Sequence, residues 1–387
     1  MEAILVINAG SSSIKFSVFA TSSIADNMLY HGTMDIGTDA TNFTISDLYN
    51  TKQEIIPTID YNQLFTRVIE NISQQVILVA VGHRVVHGGT YFKAPVIITP
   101  SIYNQLEELV SLAPLHQGHN LNAIKIITNL QPNLPQIACF DTSFHHTQQH
   151  LAKLFAIPQI LTKQGIIRYG FHGLSYEYIA SVINNYIGTV GNERVIVQHL
   201  GNGSSACAMY QHKSVASSMG FTALDGLMMG TRCGNIDPGV ILYLLEEKQY
   251  SLPQITELLY HKSGLLGVSN GLSSDMRKLL ISDDLNAKEA IELFCYRAAC
   301  EIGHLCVALG GCDALVFSAG IGEHAALVRQ KICAYLTWLG LGLDEQANNN
   351  HQAIISTKDS KIVVSIIPTN EEYMIAKHVQ QILLTSA

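Results

Sequence analysis

What this 387-residue chain lacks narrows its class before any motif is read. Charged side chains make up only 14% of it and no long block of one sign occurs, which excludes wholesale disorder. The balance of 23 basic against 31 acidic residues, a formal −8, argues against binding nucleic acid through phosphate charge alone. No apolar run approaches the roughly 18 residues of a membrane span, and the first residues hold no basic segment leading into an apolar one. A cytoplasmic protein with neither membrane nor nucleic acid as partner is expected. The eight cysteines contain no CxxC pair, so reduced and mostly buried thiols are expected. The 16 histidines form no HExxH, which disfavours zinc; only His146 and His150, within helical reach of each other, leave a chance metal site open. The GxxxxGK[ST] phosphate loop is missing as well, which disfavours a Walker-type nucleotidase.

Against these absences stands an apolar content of 48%, enough for large cores, in a length that suggests two or three domains. The stretch from Leu5 to Phe19, LVINAGSSSIKFSVF, organises the rest. Its apolar run, small polar turn and alternating Ile14, Phe16 and Val18 predict strand, tight turn, strand, with no helix after the turn. Gly10 lets the backbone come close to a bulky anion. Ser11, Ser13 and the neighbouring N–H groups offer donors to phosphate oxygens, and Lys15 adds a full charge. A solvated hairpin turn is the plain alternative.

Further strand-like runs extend to about Ile59, with turns at His31-Gly32 and Gly37-Thr38. Helices are predicted over 62–75, 101–112 and 120–130, and strands over 76–81 and 136–140. The strand over 76–81 runs into GHRVVHGG, a loop with Arg84 at its centre that suits a cleft wall. Asp141 ends the strand over 136–140, placed either for chemistry or to cap the next turn. From about residue 151 the apolar pattern starts afresh. A strand over 194–198 ends in His199-Leu200-Gly201-Asn202-Gly203-Ser-Ser, and 206–210 continues as a strand. This repeats the design of the opening hairpin, so an internal duplication with a boundary near residue 150 is expected. Gly201-x-Gly203-x-x-Ala206 also fits the GxGxxA dinucleotide fingerprint, but that needs a helix next and a strand follows instead. Later come a glycine-rich loop over 217–239, helices over 240–247 and 252–261, and Asp275 as N-cap of another helix. A long helix over 288–309, a strand over 314–318 and a glycine turn before a helix over 325–336 follow; the turn, Gly320 to His324, is a ready anion site. A last strand over 361–368 leads to a closing helix begun by Asn370-Glu371-Glu372.

Two strand–turn–strand cradles in two halves, with a third glycine turn before a late helix, resemble the actin-like ATPase and sugar-kinase superfamily. Within it, NAGSSSIK, GHRVVHGG, APLH, FDTSFH, YGFHG, HLGNGSS, SMGFTALDGLMMGTRCG, FSAGIGEH and TNEE are similar in wording and order to the acetate kinase family, from residue 8 to residue 372. The resemblance implies an α/β, two-lobed actin-like ATPase (ribonuclease H-like) fold with duplicated domains around a nucleotide cleft. It places the acyl-substrate lobe at 1–150 plus 371–387 and the nucleotide lobe at 151–370. The implied reaction is reversible phosphorylation of acetate to acetyl phosphate, with ATP and ADP as co-substrates and Mg²⁺, or Mn²⁺ as a substitute.

The family's roles carry over residue by residue. Arg84 and Arg232 match its substrate-side and transition-state arginines, His172 its transition-state histidine and Asp141 its catalytic acid. A carboxylate acceptor is already ionised, so Asp141 is expected to orient Arg84 and the substrate rather than to move a proton. Val86, Leu115, His116, Phe171 and Ala223 match the acyl side. Ser11, Ser13, Lys15, His199, Leu200, Gly201, Asn202, Gly203, Asp275, Met276, Arg277, Gly320, Ile321, Gly322, Glu323 and His324 match nucleotide-binding segments, and Asn8 and Glu371 the magnesium-associated positions. Glu371 has a plainer role too, as a complement to the last helix dipole. A homodimer is the family's habit. The sequence departs from the family where FTPLEG has its proline at Ala223 and GIGEN its asparagine at His324, and Asn235 replaces an aspartate. Ala223 leaves room for a longer acyl chain, so a propionate kinase is one alternative. An actin-like ATP-hydrolysing switch without a carboxylate substrate is another.

Overall fold

The computed structural model describes residues 1–10, 13–24, 28–36, 40–47, 49–57, 61–114 and 116–386. Among the described residues, strands β1 to β8 form one sheet and β9 to β13 another, and the chain divides into two compact units, Met1–Phe144 with Asn370–Ala387 and His145–Thr369.

The first unit begins with β1 (Glu2–Ala9) and β2 (Ser13–Ala20), an antiparallel pair closed by a hydrogen bond of 2.9 Å from the Gly10 N–H to the Ser13 carbonyl. β3 (Met28–Ile36), β4 (Ala40–Ser46) and β5 (Thr51–Pro57) extend the sheet on one side by antiparallel pairing. β6 (Ile77–Val85) and β8 (Gln136–Phe140) add on the other side in parallel, and β7 (Val96–Ile97) borders β8. β1 reads as a continuous apolar run because both of its faces are covered. On one face Leu5, Ile7, Phe16 and Met34 meet Leu64, Phe65, Val68 and Ile72, the apolar stripe of the helix Tyr61–Ser73. The closing helix Glu371–Ser386 also packs on β1 and β6.

The second unit repeats the scheme. β9 (Val195–Leu200), β10 (Ser204–Tyr210) and β11 (Lys213–Ser217) are antiparallel, while β12 (Ala314–Ser318) and β13 (Val363–Ile366) join β9 in parallel. Its order β11-β10-β9-β12-β13 is that of β3-β2-β1-β6-β8 in the first unit, with the same strand directions. The core forms under the helix Leu285–Leu309, whose Phe294, Ala298, Ile302 and Leu305 pack over Ile196, Ala206, Ala208 and Leu315. Asp284 caps that helix at its start, and Gly310 in the left-handed region ends it.

Several expectations need correction. No turn occurs at His31-Gly32: β3 runs straight through it, and Gly32 is there because a Cβ would collide with the Phe16 ring and the Thr44 carbonyl of the flanking strands. The expected turn at Gly37-Thr38 lies outside the described residues. Arg84 sits within β6, opposite Cys139 of β8, rather than in a loop beyond the strand. The segment expected as a glycine turn, Gly320 to His324, is itself helical over Ala319–His324. His146 and His150 lie in two separate 3₁₀ turns and not on one helix. Among the described residues no group of three His, Cys, Asp or Glu side chains is placed to hold a metal, and no helix is long and apolar enough to cross a membrane.

Candidate active site

In the first unit, parallel pairing brings the C-terminal ends of β1, β6 and β8 to one edge, the usual place for ligands on such sheets. Asn8, Arg84 and Asp141 stand there. Asp141 follows β8 directly, and its N–H continues the ladder to the Val85 carbonyl at 3.1 Å. Its carboxylate is 1% exposed and takes the Arg84 fork bidentately, Nε to Oδ1 at 3.0 Å and Nη2 to Oδ2 at 2.6 Å. Arg84 Nη1 donates to Asn8 Oδ1 at 3.2 Å, and Glu371, at the start of the closing helix, approaches Nε to 3.9 Å. Burial alone would lower the Arg84 pKa, but Asp141 and then Glu371 outweigh it and hold the guanidinium charged. Burial pushes the Glu371 carboxyl up to about 7, with Asp141 and Glu372 adding to the rise and Arg84 and Lys15 opposing it. Lys15 faces Asn8 across the hairpin, and Ser13 opens β2 beside it.

Two buried amides that the sequence reading missed lock this edge. Asn120 accepts from the Val86 N–H at 3.1 Å and donates to the Ala9 carbonyl at 2.8 Å, tying the end of β1 to the end of β6. Gln117 bonds the His87 N–H and carbonyl, both at 3.1 Å. Their signal was available: two amides three residues apart on the buried face of the helix Gln117–Leu130. His116 is the residue before that helix, and Val86 is buried beside the arginine strand. Ser11 and Leu115 lie outside the described residues.

In the second unit, His172 precedes the helix Gly173–Ile187 with φ +56°, a left-handed conformation rare for a side chain of this size. Its Nδ1 is 2.8 Å from Ser205 Oγ, and its ring stacks on that of His199 with centroids 4.2 Å apart. His199 Nδ1 is in turn 2.8 Å from Ser175 Oγ. Arg232 Nη1 donates to the Ala223 carbonyl at 2.6 Å. The two groups converge over Gly203: a Cβ there would lie 2.7 Å from Arg232 Nη2 and 3.3 Å from His172 Nε2. Only glycine leaves this approach open. Phe171 is buried, and its carbonyl meets His145 Nε2 at 2.9 Å.

A cavity of about 420 Å³ in the same unit is lined by Gly201, Asn202, Asp275, Met276, Arg277, Gly320, Ile321 and His324, and by Ser274, Leu280 and Ala325. Its size suits a nucleoside. The structure thus brings together eight of the residues that the sequence assigned to nucleotide binding. Ser274, Leu280 and Ala325 were missed, although each lies beside or one helical turn from an assigned residue. Alternation along β9 turns the Leu200 side chain with Ile196 into the core. Glu323 is also turned away, accepting the Thr369 N–H at 3.2 Å. Asp275 caps the helix Met276–Leu280 and pairs with Arg277 at 2.7 Å.

Asn8 and Glu371 offer oxygen donors, with the Asp141 and Glu372 carboxyls and the Arg84 and Lys15 cations acting on Glu371. Such a set fits a hard divalent cation that keeps most of its shell from phosphate and water.

Residues 3–377 match the Acetokinase family. A relative from Rhodopseudomonas palustris named acetate kinase is 51% identical over 389 residues, 98% of this chain and 98% of the relative. A propionate kinase structure from Francisella tularensis superposes with a TM-score of 0.92 at 37% identity, covering 98% of this chain and 99% of that one. The structure of Porphyromonas gingivalis acetate kinase does so with a TM-score of 0.88 at 34% identity, covering 99% and 100%.

Proposed function

The chain belongs to the acetokinase family and has the actin-like ATPase fold, and on that premise we propose that it transfers the γ-phosphoryl group of ATP reversibly to acetate, giving acetyl phosphate and ADP. The observation that carries this reading is the Arg84 fork, fixed by a buried carboxylate. A guanidinium has five N–H donors. Asp141 takes the single one on Nε and one on Nη2, and Asn8 takes one on Nη1, so the fork keeps two donors for a second, incoming carboxylate.

The acceptor is an anion and needs no base; it needs its repulsion from the terminal phosphate cancelled. We assign that task to Arg84, with Asp141 as the group that holds the fork in place. Val86 and His116 of the first unit and Phe171 and Ala223 of the second are assigned to the acyl side. The second unit supplies the nucleotide cavity, and Ser13 and Lys15 donate to phosphate oxygens. In-line transfer spreads charge over the equatorial oxygens of the moving group, and the Arg232 and His172 donors above Gly203 act there. Asn8 and Glu371 would hold Mg²⁺, which when bound offsets the charge of the terminal phosphates.

The acid preferred is acetate. Propionate is the second reading, favoured by Ala223, whose side chain is smaller than the ring of the family's proline. One methylene is worth only about 1–3 kcal/mol of discrimination. A homodimer in the cytoplasm completes the proposal, supported by the apolar Leu242, Tyr243 and Tyr296 that the second unit exposes. Incubation with ATP, Mg²⁺ and hydroxylamine tests the function. Acetate should give acetohydroxamate with kcat/KM above that of propionate, and ATP turnover indifferent to either acid would refute it.

A further inference from the structure

Among the described residues, the largest fully buried side chain is a charged one, Arg329, at 0% exposure. It lies on the helix Ala326–Ala334, one turn beyond the cavity wall, and no carboxylate is among its hydrogen-bond partners. Nη1 donates to the carbonyls of Gly322 and Glu323 at 2.8 and 2.9 Å. Nε donates to Asn348 Oδ1 at 2.7 Å and Nη2 to the Asn348 carbonyl at 2.8 Å, while Nη2 and the Glu323 carbonyl each lie 3.1 Å from His351 Nδ1. Four of its five N–H groups thereby meet oxygen acceptors, and the fifth faces His351 Nδ1. Burying a guanidinium is costly, so the position calls for a function that a buried apolar side chain would not serve.

That function follows from what the fork holds. Gly320, Ile321, His324 and Ala325 line the nucleotide cavity, and Gly322 and Glu323 are the two residues between them. Asn348 closes the clamp from the other side, its Nδ2 donating to the Ala326 carbonyl at 2.9 Å. We propose that Arg329, with Asn348, is a positioning residue that sets the shape of the nucleotide-binding wall from behind, without touching the nucleotide. The proposal rests on the reading of this cavity as the ATP site. A lysine keeps the charge but has no planar fork to serve acceptors on the stretches 322–323 and 348–351 at once. The same wall continues inward: Glu323 accepts the Thr369 N–H, Thr369 Oγ1 donates to Ser175 Oγ at 2.8 Å, and Ser175 meets His199, which stacks on His172.

The test is R329K, with N348A as the variant that spares the arginine. Both are assayed for steady-state kinetics and for ATP affinity by calorimetry in the absence of acetate. The expected result for R329K is a rise on the order of tenfold in both the KM and the Kd for ATP, with the KM for acetate within about twofold. N348A should move the same two quantities in the same direction by less. An R329K enzyme with unchanged ATP affinity, or with both KM values raised alike, would overturn the proposal. Should R329K fail to fold, unchanged ATP affinity in N348A would overturn it alone. Because the calorimetry needs no acetate, a wild type that binds ATP yet phosphorylates no carboxylate would sink the kinase reading and leave this one standing.

Discussion

The two units carry the same five-strand scheme and use it for opposite electrostatics. At the strand ends of the first, one arginine stands among Asp141 and Glu371, with Asn8 beside it. At those of the second, an imidazole pair and an arginine held by a carbonyl meet over a glycine, next to a cavity lined by Gly201, Asn202 and Gly320 and by the Asp275–Arg277 ion pair. The first arrangement is suited to one small anion and a cation; the second has donors ready for a larger, highly charged anion. The sheet therefore sets where chemistry sits, while residues just past the strand ends decide what it is.

Removing either arginine should have the largest effect and separate the units. Arg232→Ala is expected to lower kcat by roughly 10²–10³-fold, about 3–4 kcal/mol in the barrier, as for loss of a single oxyanion donor. Arg84→Ala should instead raise the acetate KM as well as lower kcat. Steady-state kinetics with each substrate varied in turn decides this, and identical profiles for the two variants would erase the distinction.

Each unit also holds a buried histidine kept neutral, His83 at 2.7 Å from Gln136 in the first and His145 at 2.9 Å from Ser214 in the second. Burial holds both down at about 4. The unfolded chain takes up these protons near pH 6.5 and the folded one only near 4, so stability is full above 6.5 and falls as the pH drops toward 4. Each site contributes about 3 kcal/mol to that loss. Urea unfolding at pH 7.5 and 5 should show a smaller difference in His83→Gln and in His145→Gln than in wild type; equal differences would exclude the histidines as its source.

The hairpins offer a finer contrast. At Gly203 a methyl group meets Arg232 at 2.7 Å, whereas at Gly10 the nearest atom is the Ser13 carbonyl at 3.1 Å. Gly203→Ala should cost on the order of 10²-fold in kcat through misplaced donors, and Gly10→Ala distinctly less. Smallest is Ala223→Pro, expected to shift the acetate-to-propionate ratio of kcat/KM toward acetate by about 1 kcal/mol. An unchanged ratio would remove Ala223 from the acyl side.

Much of this was legible in the chain because it depends on local rules. Short apolar runs placed β1, β9, β10 and β12, period-two alternation placed β2, and the matching turns NAGSSS and GNGSS revealed the duplicated scheme. Asp141 and Arg84 were identified as a pair through wording shared with a family, and the structure supplies their bidentate geometry. What escaped depends on partners distant in sequence. Gly32 looked like a turn because glycine is ambiguous until its neighbours Phe16 and Thr44 are known. Asn120 and Gln117 were passed over because their partners are backbone groups some 30 residues away or more. Arg329 drew no reading from the sequence, since burial of a charge is decided by tertiary packing alone.

The division of labour between the units is tested most directly by titrating ATP into Arg84→Ala in a calorimeter and measuring its acetate KM alongside. The account predicts an ATP dissociation constant within about twofold of wild type and an acetate KM raised at least about tenfold, on the scale of a lost charge-assisted hydrogen bond. An enzyme that loses ATP affinity while keeping its acetate KM would contradict it.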